Sequence, residues 1–181
     1  MSENVTPTRL GELSSYWAAY QCATCGSIVT AQSLPTYPGS NERTLWFTFP
    51  EAKKVHEDIP DIARRYLQQA FDTLHAPDAA AVMAGSAVDA MLKALGYTDG
   101  SLYSRIDKAK SDGKLTQSMA DWAHEVRLGS NRPRHSDGER PHVTYDEAVQ
   151  SVEFAEALGT FLFVLTAKIT RGIEAAKLAS A

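Results

Sequence analysis

The pattern of apolar and polar positions changes near residue 50 of this 181-residue chain. Before that point, the two prolines of "LPTYPGSNER" and the apolar run "TLWFTF" at residues 44–49 predict short strands and turns. After it, apolar residues recur every three or four positions, which is the period of a helix with one buried face. We therefore divide the chain into an N-terminal segment, residues 1–50, and a helical region, residues 51–181.

The helical region contains start and stop signals for about five helices. Prolines or capping side chains that begin a helix occur at Pro60, Pro77, Ser101, Thr116 and Thr144. Thr144 and Glu147 have the spacing of a capping box, and Gly96 ends the second helix. The fifth helix is expected to be the longest and the central one. The sequence predicts an all-α fold, a bundle of about five helices with a small N-terminal cysteine-knuckle segment.

The motif "CATCG" at residues 22–26 contains the only two cysteines of the chain. Two residues separate Cys22 from Cys25, a spacing that lets both thiolates reach one zinc ion. A structural zinc site needs four ligands, so a histidine such as His56 or His75, an acid, or the same pair from a second copy has to complete it. A knuckle that has lost its metal is the alternative, and the βαβ context of a redox pair is missing.

The charge distribution excludes a protein that is basic overall and indicates one local basic patch. The net charge of -4 excludes a chain that is basic overall, so any contact with nucleic acid has to come from a local patch. Between His124 and His142 such a patch contains Arg127, Arg132, Arg134 and Arg140. Arginine suits bidentate binding of phosphate or carboxylate, which predicts an anionic partner. No aromatic residue interleaves with these arginines, which counts against a platform for base stacking.

Two features favour a cytoplasmic protein without a membrane partner. The N-terminal residues are polar and lack the apolar core of a secretory signal. The most apolar run, residues 157–167, is shorter than the roughly 20 residues that cross a bilayer.

Four stretches together resemble a known family: "DIARRYLQQAF", "AAAVMAGSAVDAMLKALG", "SLYSRIDKAKSDGKL" and "VRLGSNRPRH". The chain resembles the domain of unknown function 4145 family, which is placed in the HEPN superfamily. This resemblance implies a helical bundle that commonly dimerises and a context of prokaryotic defence or toxin systems. In active members of the superfamily it implies a metal-independent ribonuclease that uses an arginine, a polar residue and a histidine. The matching positions here are Arg127, Asn131 and His135.

The chemistry of those three residue types is consistent with RNA cleavage, but two departures count against it. A histidine can take a proton from a ribose 2′-hydroxyl while an arginine stabilises the phosphate. Seven residues separate Arg127 from His135, more than in the active motif of the superfamily. Gly85 and Ser86 also stand where related members often carry adjacent arginines.

The residues therefore favour a binding or assembly module that contacts nucleic acid or a partner protein. A metal-independent endoribonuclease is the alternative, and a plain polar turn between the fourth and fifth helices is also open. A surplus of apolar residues on helix two and on the C-terminal helix predicts a homodimer through these helices. The residues concerned are Val82, Met83, Val88, Met91, Phe161, Phe163 and Val164.

Overall fold

A computed structural model describes residues 3–7, 14–23, 26–51, 53–135, 138–139 and 142–179. The chain consists of two compact units, Met1–Lys53 and Lys54–Ala181. The first unit contains a four-stranded antiparallel sheet and the second contains the helices. The predicted all-α class is therefore wrong, and the fold is mixed α and β.

The sheet accounts for most of the N-terminal unit. Its strands are β1 (Glu3–Pro7), β2 (Ser14–Gln21), β3 (Ile28–Pro35) and β4 (Arg43–Phe49), and each pairs with the next along the chain. Valine, isoleucine, threonine and aromatic residues, which favour strands, recur in all four. A register shift in the pairing of β3 with β4 leaves Trp46 without an opposite residue, as in a β-bulge. The predicted short strands thus belong to one continuous sheet.

The second unit is built from helices that follow one another with short connections. They are α1 (Asp61–Asp72), α2 (Pro77–Ala94), α3 (Leu102–Ser111), α4 (Gln117–His135), α5 (Tyr145–Gly159) and α6 (Thr166–Ala179). A π-helical segment, Thr160–Leu165, joins α5 to α6, so that one continuous helix runs from Tyr145 to Ala179.

Three of the predicted helix starts are confirmed by their hydrogen bonds. The Thr116 hydroxyl accepts from the Met119 N–H at 3.2 Å at the start of α4. The Ser101 hydroxyl accepts from the Ser104 N–H at 3.2 Å. Thr144 and Glu147 form the predicted capping box, in which each side chain accepts from the backbone N–H of the other residue. A cap of this kind stabilises a helix by about 1 kcal/mol, which explains why local sequence located these ends correctly.

The core of the helical unit lies around α2, not around the last helix as expected from the sequence. Helix α2 packs against α1, α4 and α5. Small residues on α2 let its neighbours approach closely, and they are Ala80, Ala81, Ala84, Gly85 and Ala87. Large buried side chains from the other helices fill the remaining space, among them Leu67, Phe154 and Leu158.

The continuous helix Tyr145–Ala179 is long and apolar enough to cross a bilayer by length and composition, which the shorter run at residues 157–167 did not indicate. Half of its most apolar window is buried inside the protein. The expected absence of a membrane partner therefore stays a prediction.

Candidate functional site

Helix α4 carries most of the predicted site residues. It continues to His135, so residues 127–135 are helical and the predicted polar turn between two helices is wrong. Pro133 lies in the last turn of this helix, where only two residues follow it. Arg127 and Asn131 are four residues apart and therefore share one face of α4.

Two cavities lie along the C-terminal half of α4. The first, here called the cleft, has a volume of about 980 Å³ and is lined by residues of α1, α2, α3 and α4. Its polar and aromatic lining includes Tyr66, Asp89, Tyr103, Arg127, Asn131 and Arg134. The second, here called the side cavity, has a volume of about 500 Å³. It is lined by Glu125, Leu128, Gly129, Asn131, Arg132, His135, Glu139 and Glu147.

Arg127 is held in the cleft by packing against an aromatic ring. Its guanidinium carbon lies 5.4 Å from the centroid of the Tyr103 ring, close enough for a cation–π contact. Tyr103 in turn stacks on His124, with ring centroids 4.6 Å apart. Nε of Arg127 is buried without a hydrogen-bond partner, and no carboxylate pairs with this side chain in the described part of the chain. The positive charge of Arg127 is therefore not neutralised by an acid.

Arg134 lies in the same cleft and is positioned by α2. Its Nη2 donates to the Ser86 hydroxyl at 2.9 Å and to the Val82 carbonyl at 3.3 Å. Ser86 itself donates to the Val82 carbonyl at 2.8 Å. Ser86 on α2 thus holds an arginine that comes from α4.

The neighbouring position on α2 is a glycine because α2 and α4 touch there. A Cβ atom on Gly85 would lie 2.5 Å from the Ser130 hydroxyl and 2.7 Å from Ser130 Cβ. Ser130 is only 1% exposed, so it has little room to move away. An arginine at position 85 would force the two helices apart, which gives a packing reason for the glycine at this position.

The other charges around the cleft are paired within the protein. Arg105, which is 8% exposed, donates to Asp89 Oδ1 from Nε at 3.0 Å and from Nη2 at 2.6 Å. Lys93 Nζ lies 2.7 Å from Asp89 Oδ2. Asp61 pairs with two arginines of α1, at 2.9 Å each. Since these acids are neutralised locally, the unpaired charge of the cleft is the positive charge of Arg127 and Arg134.

Arg132 points to the side cavity and pairs with the start of α5. Its Nη2 donates to Glu147 Oε1 at 2.9 Å, while the Thr144 N–H donates to Glu147 Oε2 at 2.9 Å. The Thr144 N–H, followed by the Arg132 guanidinium and the Thr144 hydroxyl, lowers the pKa of Glu147 to about 2 against the opposing effect of burial. Arg132, predicted to bind nucleic acid, thus ties α4 to α5.

His135 and Arg127 do not line the same cavity. His135 lines the side cavity, and Asn131 is the predicted site residue that lines both. Eight residues of helix place His135 about 12 Å along the axis from Arg127. Within one chain, the predicted triad is therefore divided between two cavities.

The cysteine pair is described only in part, because Cys25 lies outside the described residues, as does Arg140. Cys22 is exposed at the end of β2. Its N–H donates to the Ser27 carbonyl at 2.8 Å, and Gly26 closes the turn with a φ of 74°, a conformation that favours glycine. No cluster of three or more metal-binding side chains occurs among the residues that the structure describes. Zinc at this turn stays a prediction.

Sequence reasoning missed the aromatic wall of the cleft. The arginine-rich segment itself contains no aromatic residue, whereas Tyr66 comes from α1 and Tyr103 from α3. Tyr103 is 51% exposed, more than a tyrosine in the core would be. No local pattern distinguishes such a residue, because its position beside Arg127 depends on the packing of α3 against α4.

A family model described as "Domain of unknown function (DUF4145)" matches residues 66–177, which is more than half of the chain. The matched range begins inside α1 and includes all of α2 to α5. No curated protein and no solved structure matches the chain.

Proposed function

We propose that this chain, which belongs to the DUF4145 family, is a nucleic-acid-binding module whose ligand is a single strand. The observation that carries the proposal is the composition of the cleft. Arg127 and Arg134 have no carboxylate partner among the described residues, and they lie in one cleft with Tyr66 and Tyr103.

This composition suits both parts of a nucleotide chain. Arginine binds phosphate oxygens through several N–H groups at once. Tyrosine rings stack on bases, which a single strand exposes and a duplex keeps inside. Asn131 adds an amide that can donate to and accept from a base or a ribose.

We propose further that the chain is related to the HEPN superfamily and acts in a prokaryotic defence or toxin-related context. The support for this is the resemblance of the motifs around Arg127 and Asn131, together with a helical unit that carries them on its fourth helix. Binding without cleavage is favoured because His135 lines the side cavity and Arg127 the cleft.

Binding of a labelled single-stranded RNA, followed by fluorescence anisotropy over a series of salt concentrations, tests the proposal. Arg127→Ala and Arg134→Ala should each weaken binding about tenfold and reduce the salt slope by about 0.7, the value for one lost phosphate contact on a single strand. Lys114→Ala is the control, since Lys114 is an exposed cation that does not line the cleft. An equal loss in the control, or no binding by the wild type at low salt, would contradict the proposal.

The same RNA, incubated with wild-type protein and a metal chelator, distinguishes binding from the ribonuclease alternative. We expect intact RNA. Cleavage that is present in the wild type and absent in His135→Ala would establish the endoribonuclease and show that the histidine reaches the substrate despite its place in the side cavity.

Metal analysis of the purified protein tests the zinc prediction. One zinc ion per chain would indicate a site completed within one chain, and one ion per two chains would indicate a site shared between copies. In either case Cys22→Ser should lower the Tm, because binding to a folded site adds to the free energy of folding. Metal-free protein with an unchanged Tm in this variant would contradict the prediction.

A further inference from the structure

Helix α4 presents three polar side chains to the cleft in a regular order. Arg127, Asn131 and Arg134 all line the cleft. A straight helix drifts by only about 20° over seven residues, so Arg127 and Arg134 lie on nearly the same face of α4. Asn131 lies between them along the helix axis. The cleft therefore meets a positive charge, a neutral amide and a second positive charge in succession.

The two guanidinium groups are held apart by different helices. Arg127 packs on the Tyr103 ring of α3, and Arg134 donates to the Ser86 hydroxyl and the Val82 carbonyl of α2. Seven residues of helix separate the two arginines by about 10.5 Å along the axis. The two phosphates of a diphosphate share one oxygen atom and lie much closer together than this. The spacing instead suits two phosphates with another group between them.

Asn131 indicates which kind of group lies between the phosphates. Its side-chain amide is uncharged, donates through NH₂ and accepts through its carbonyl oxygen. A third phosphate opposite Asn131 would have no charged partner there, whereas a sugar hydroxyl or the edge of a base can bond to either end of the amide. Two phosphates flank each internal nucleoside of a nucleotide strand. The order of side chains on α4 therefore matches a phosphate, a nucleoside and a second phosphate.

Tyr66 provides an aromatic surface on the other side of the cleft. Among the described elements, α1 and α4 both pack against α2 and not against each other, so the cleft separates them. The Tyr103 ring already contacts Arg127 and His124. Within the described ranges, no second ring and no guanidinium packs on the ring of Tyr66. Of the two tyrosines, Tyr66 is therefore the one that can stack on a base.

We propose that the cleft binds one nucleoside together with its 3′ and 5′ phosphates. Arg127 and Arg134 each hold one phosphate, Asn131 bonds to the nucleoside between them, and the base stacks on Tyr66. The proposal rests on the proposed function, because this unit is one internal nucleotide of the strand with the phosphate that follows it. A volume of about 980 Å³ lies within the range of small-ligand sites, about 300–1,000 Å³, so a unit of this size fits the cleft.

Isothermal titration calorimetry of the full chain with adenosine 3′,5′-bisphosphate and with adenosine 5′-diphosphate tests the proposal. The two ligands contain the same base, the same sugar and two phosphates, and they differ in where the phosphates are attached. The 3′,5′-bisphosphate should bind at least tenfold more tightly, because only this ligand places one phosphate on each arginine. Equal affinity, tighter binding of the 5′-diphosphate, or no binding of either ligand would overturn the proposal.

Arginine variants test whether each guanidinium holds one phosphate. In Arg127→Ala and in Arg134→Ala, adenosine 3′,5′-bisphosphate should lose its advantage over the 5′-diphosphate. It should then bind about as tightly as adenosine 3′-monophosphate or adenosine 5′-monophosphate, since a single phosphate contact remains. A tenfold advantage that persists in both variants would show that other groups select the ligand, and would overturn the proposal.

Two substitutions of Tyr66 test the position of the base. Tyr66→Leu should weaken binding of adenosine 3′,5′-bisphosphate about tenfold, because it removes the ring but keeps an apolar side chain of similar size. Tyr66→Phe is the matched control and should bind like the wild type, since stacking needs only the ring. Circular dichroism verifies that each variant is folded. Equal binding by these two variants would overturn the assignment of the base to Tyr66.

The binding of single-stranded RNA separates a failure of this proposal from a failure of the proposed function. RNA that binds through Arg127 and Arg134, with no advantage of the 3′,5′-bisphosphate over the 5′-diphosphate, would overturn the proposed unit and leave the proposed function intact. The opposite result, in which the 3′,5′-bisphosphate binds as expected and RNA does not bind, would support the unit. It would also contradict the proposed function, because the source of the unit would be a free nucleotide and not a strand.

Discussion

The two sides of the C-terminal half of α4 carry the same type of charge in different surroundings. On the side of the cleft, Arg127 and Arg134 have no carboxylate partner among the described residues. On the side of α5, Arg132 pairs with Glu147. All three arginines lie within eight residues of sequence, so charge density alone cannot separate them. What separates them is whether another helix of the chain supplies an acid.

This difference assigns different tasks to neighbouring arginines. The pair of Arg132 and Glu147 is part of the fold, because Glu147 also closes the capping box of α5. Arg127 and Arg134 are held by an aromatic ring and by hydroxyl and carbonyl groups, which orient a guanidinium without neutralising it. A ligand with phosphate groups can supply that missing negative charge.

The largest expected effect concerns the contact between α2 and α4 at Gly85, because both sides of α4 depend on it. Gly85→Ala should lower the free energy of unfolding by about 2–3 kcal/mol, because the new methyl group would overlap Ser130 at the crossing of α2 and α4. Chemical denaturation measures this change. Gly172→Ala is the control: no atom lies within 4 Å of its added Cβ, and alanine should stabilise an exposed helix by about 0.5–1 kcal/mol. Equal effects of the two changes would contradict the close packing of α2 on α4.

Glu147 should make stability depend on pH at the acidic end. Its pKa is lowered from 4.5 to about 2 in the folded protein, so its contribution is fully present above pH 4.5 and is lost as the pH falls toward 2. Solvent screening reduces this contribution because the side chain is 30% exposed, and we expect about 2 kcal/mol. Denaturation at several pH values should therefore show a steeper acid loss in the wild type than in Glu147→Gln.

Glu125→Gln provides the comparison for this measurement. It removes one negative charge from an exposed position on α4 that lines the same side cavity. The free energy of unfolding of Glu125→Gln should fall with decreasing pH in the same way as that of the wild type. If Glu147→Gln and Glu125→Gln lose stability in parallel with the wild type as the pH falls, the capping carboxylate is not the group that titrates.

Local signals explain which elements could be predicted from the sequence. The starts of α3 and α5 were predictable because Ser101 and Thr144 form their caps within one helical turn. The full length of α4 could not be predicted, because Gly129 and Pro133 are poor helix formers. Helix α4 nevertheless continues, because Gly129 and Ser130 are buried. A Cβ atom on Gly85 would come close to Ser130, and one on Gly129 would come close to Ser151. Packing against α2 and α5 thus outweighs helix propensity.

The sheet and the cleft could not be predicted from local sequence, because both depend on contacts between residues that are far apart in the chain. Strand β3, "IVTAQSLP", mixes apolar, small and polar residues, and its pairing with β2 and β4 decides its structure. The cleft likewise combines side chains from four helices. Arg127 and Asn131 could be selected from the sequence because they are close together in it, whereas Tyr66 and Tyr103 could not.

Arg127→Ala should weaken RNA binding without lowering stability, whereas Arg132→Ala should lower stability without weakening binding. Arg127→Ala should weaken single-stranded RNA binding about tenfold and change the free energy of unfolding by less than about 0.5 kcal/mol. Arg132→Ala should leave binding within about twofold and lower stability by about 1–2 kcal/mol, because Glu147 loses its charged partner. Anisotropy and denaturation of both variants measure the two quantities. If Arg132→Ala loses binding and keeps its stability, the division between the two sides of α4 is wrong.

The smallest expected effect tests how Arg134 is held. Ser86→Ala removes the hydroxyl that accepts from Arg134 Nη2 at 2.9 Å but leaves the Val82 carbonyl, a weaker acceptor at 3.3 Å. RNA binding should weaken about threefold, or about 0.6 kcal/mol, with stability unchanged. Because Ser86 is expected to act through Arg134, the same change in an Arg134→Ala background should have no further effect on binding. A threefold loss in both backgrounds would mean that Ser86 contacts the ligand itself, and α2 would then share in binding as well as in positioning.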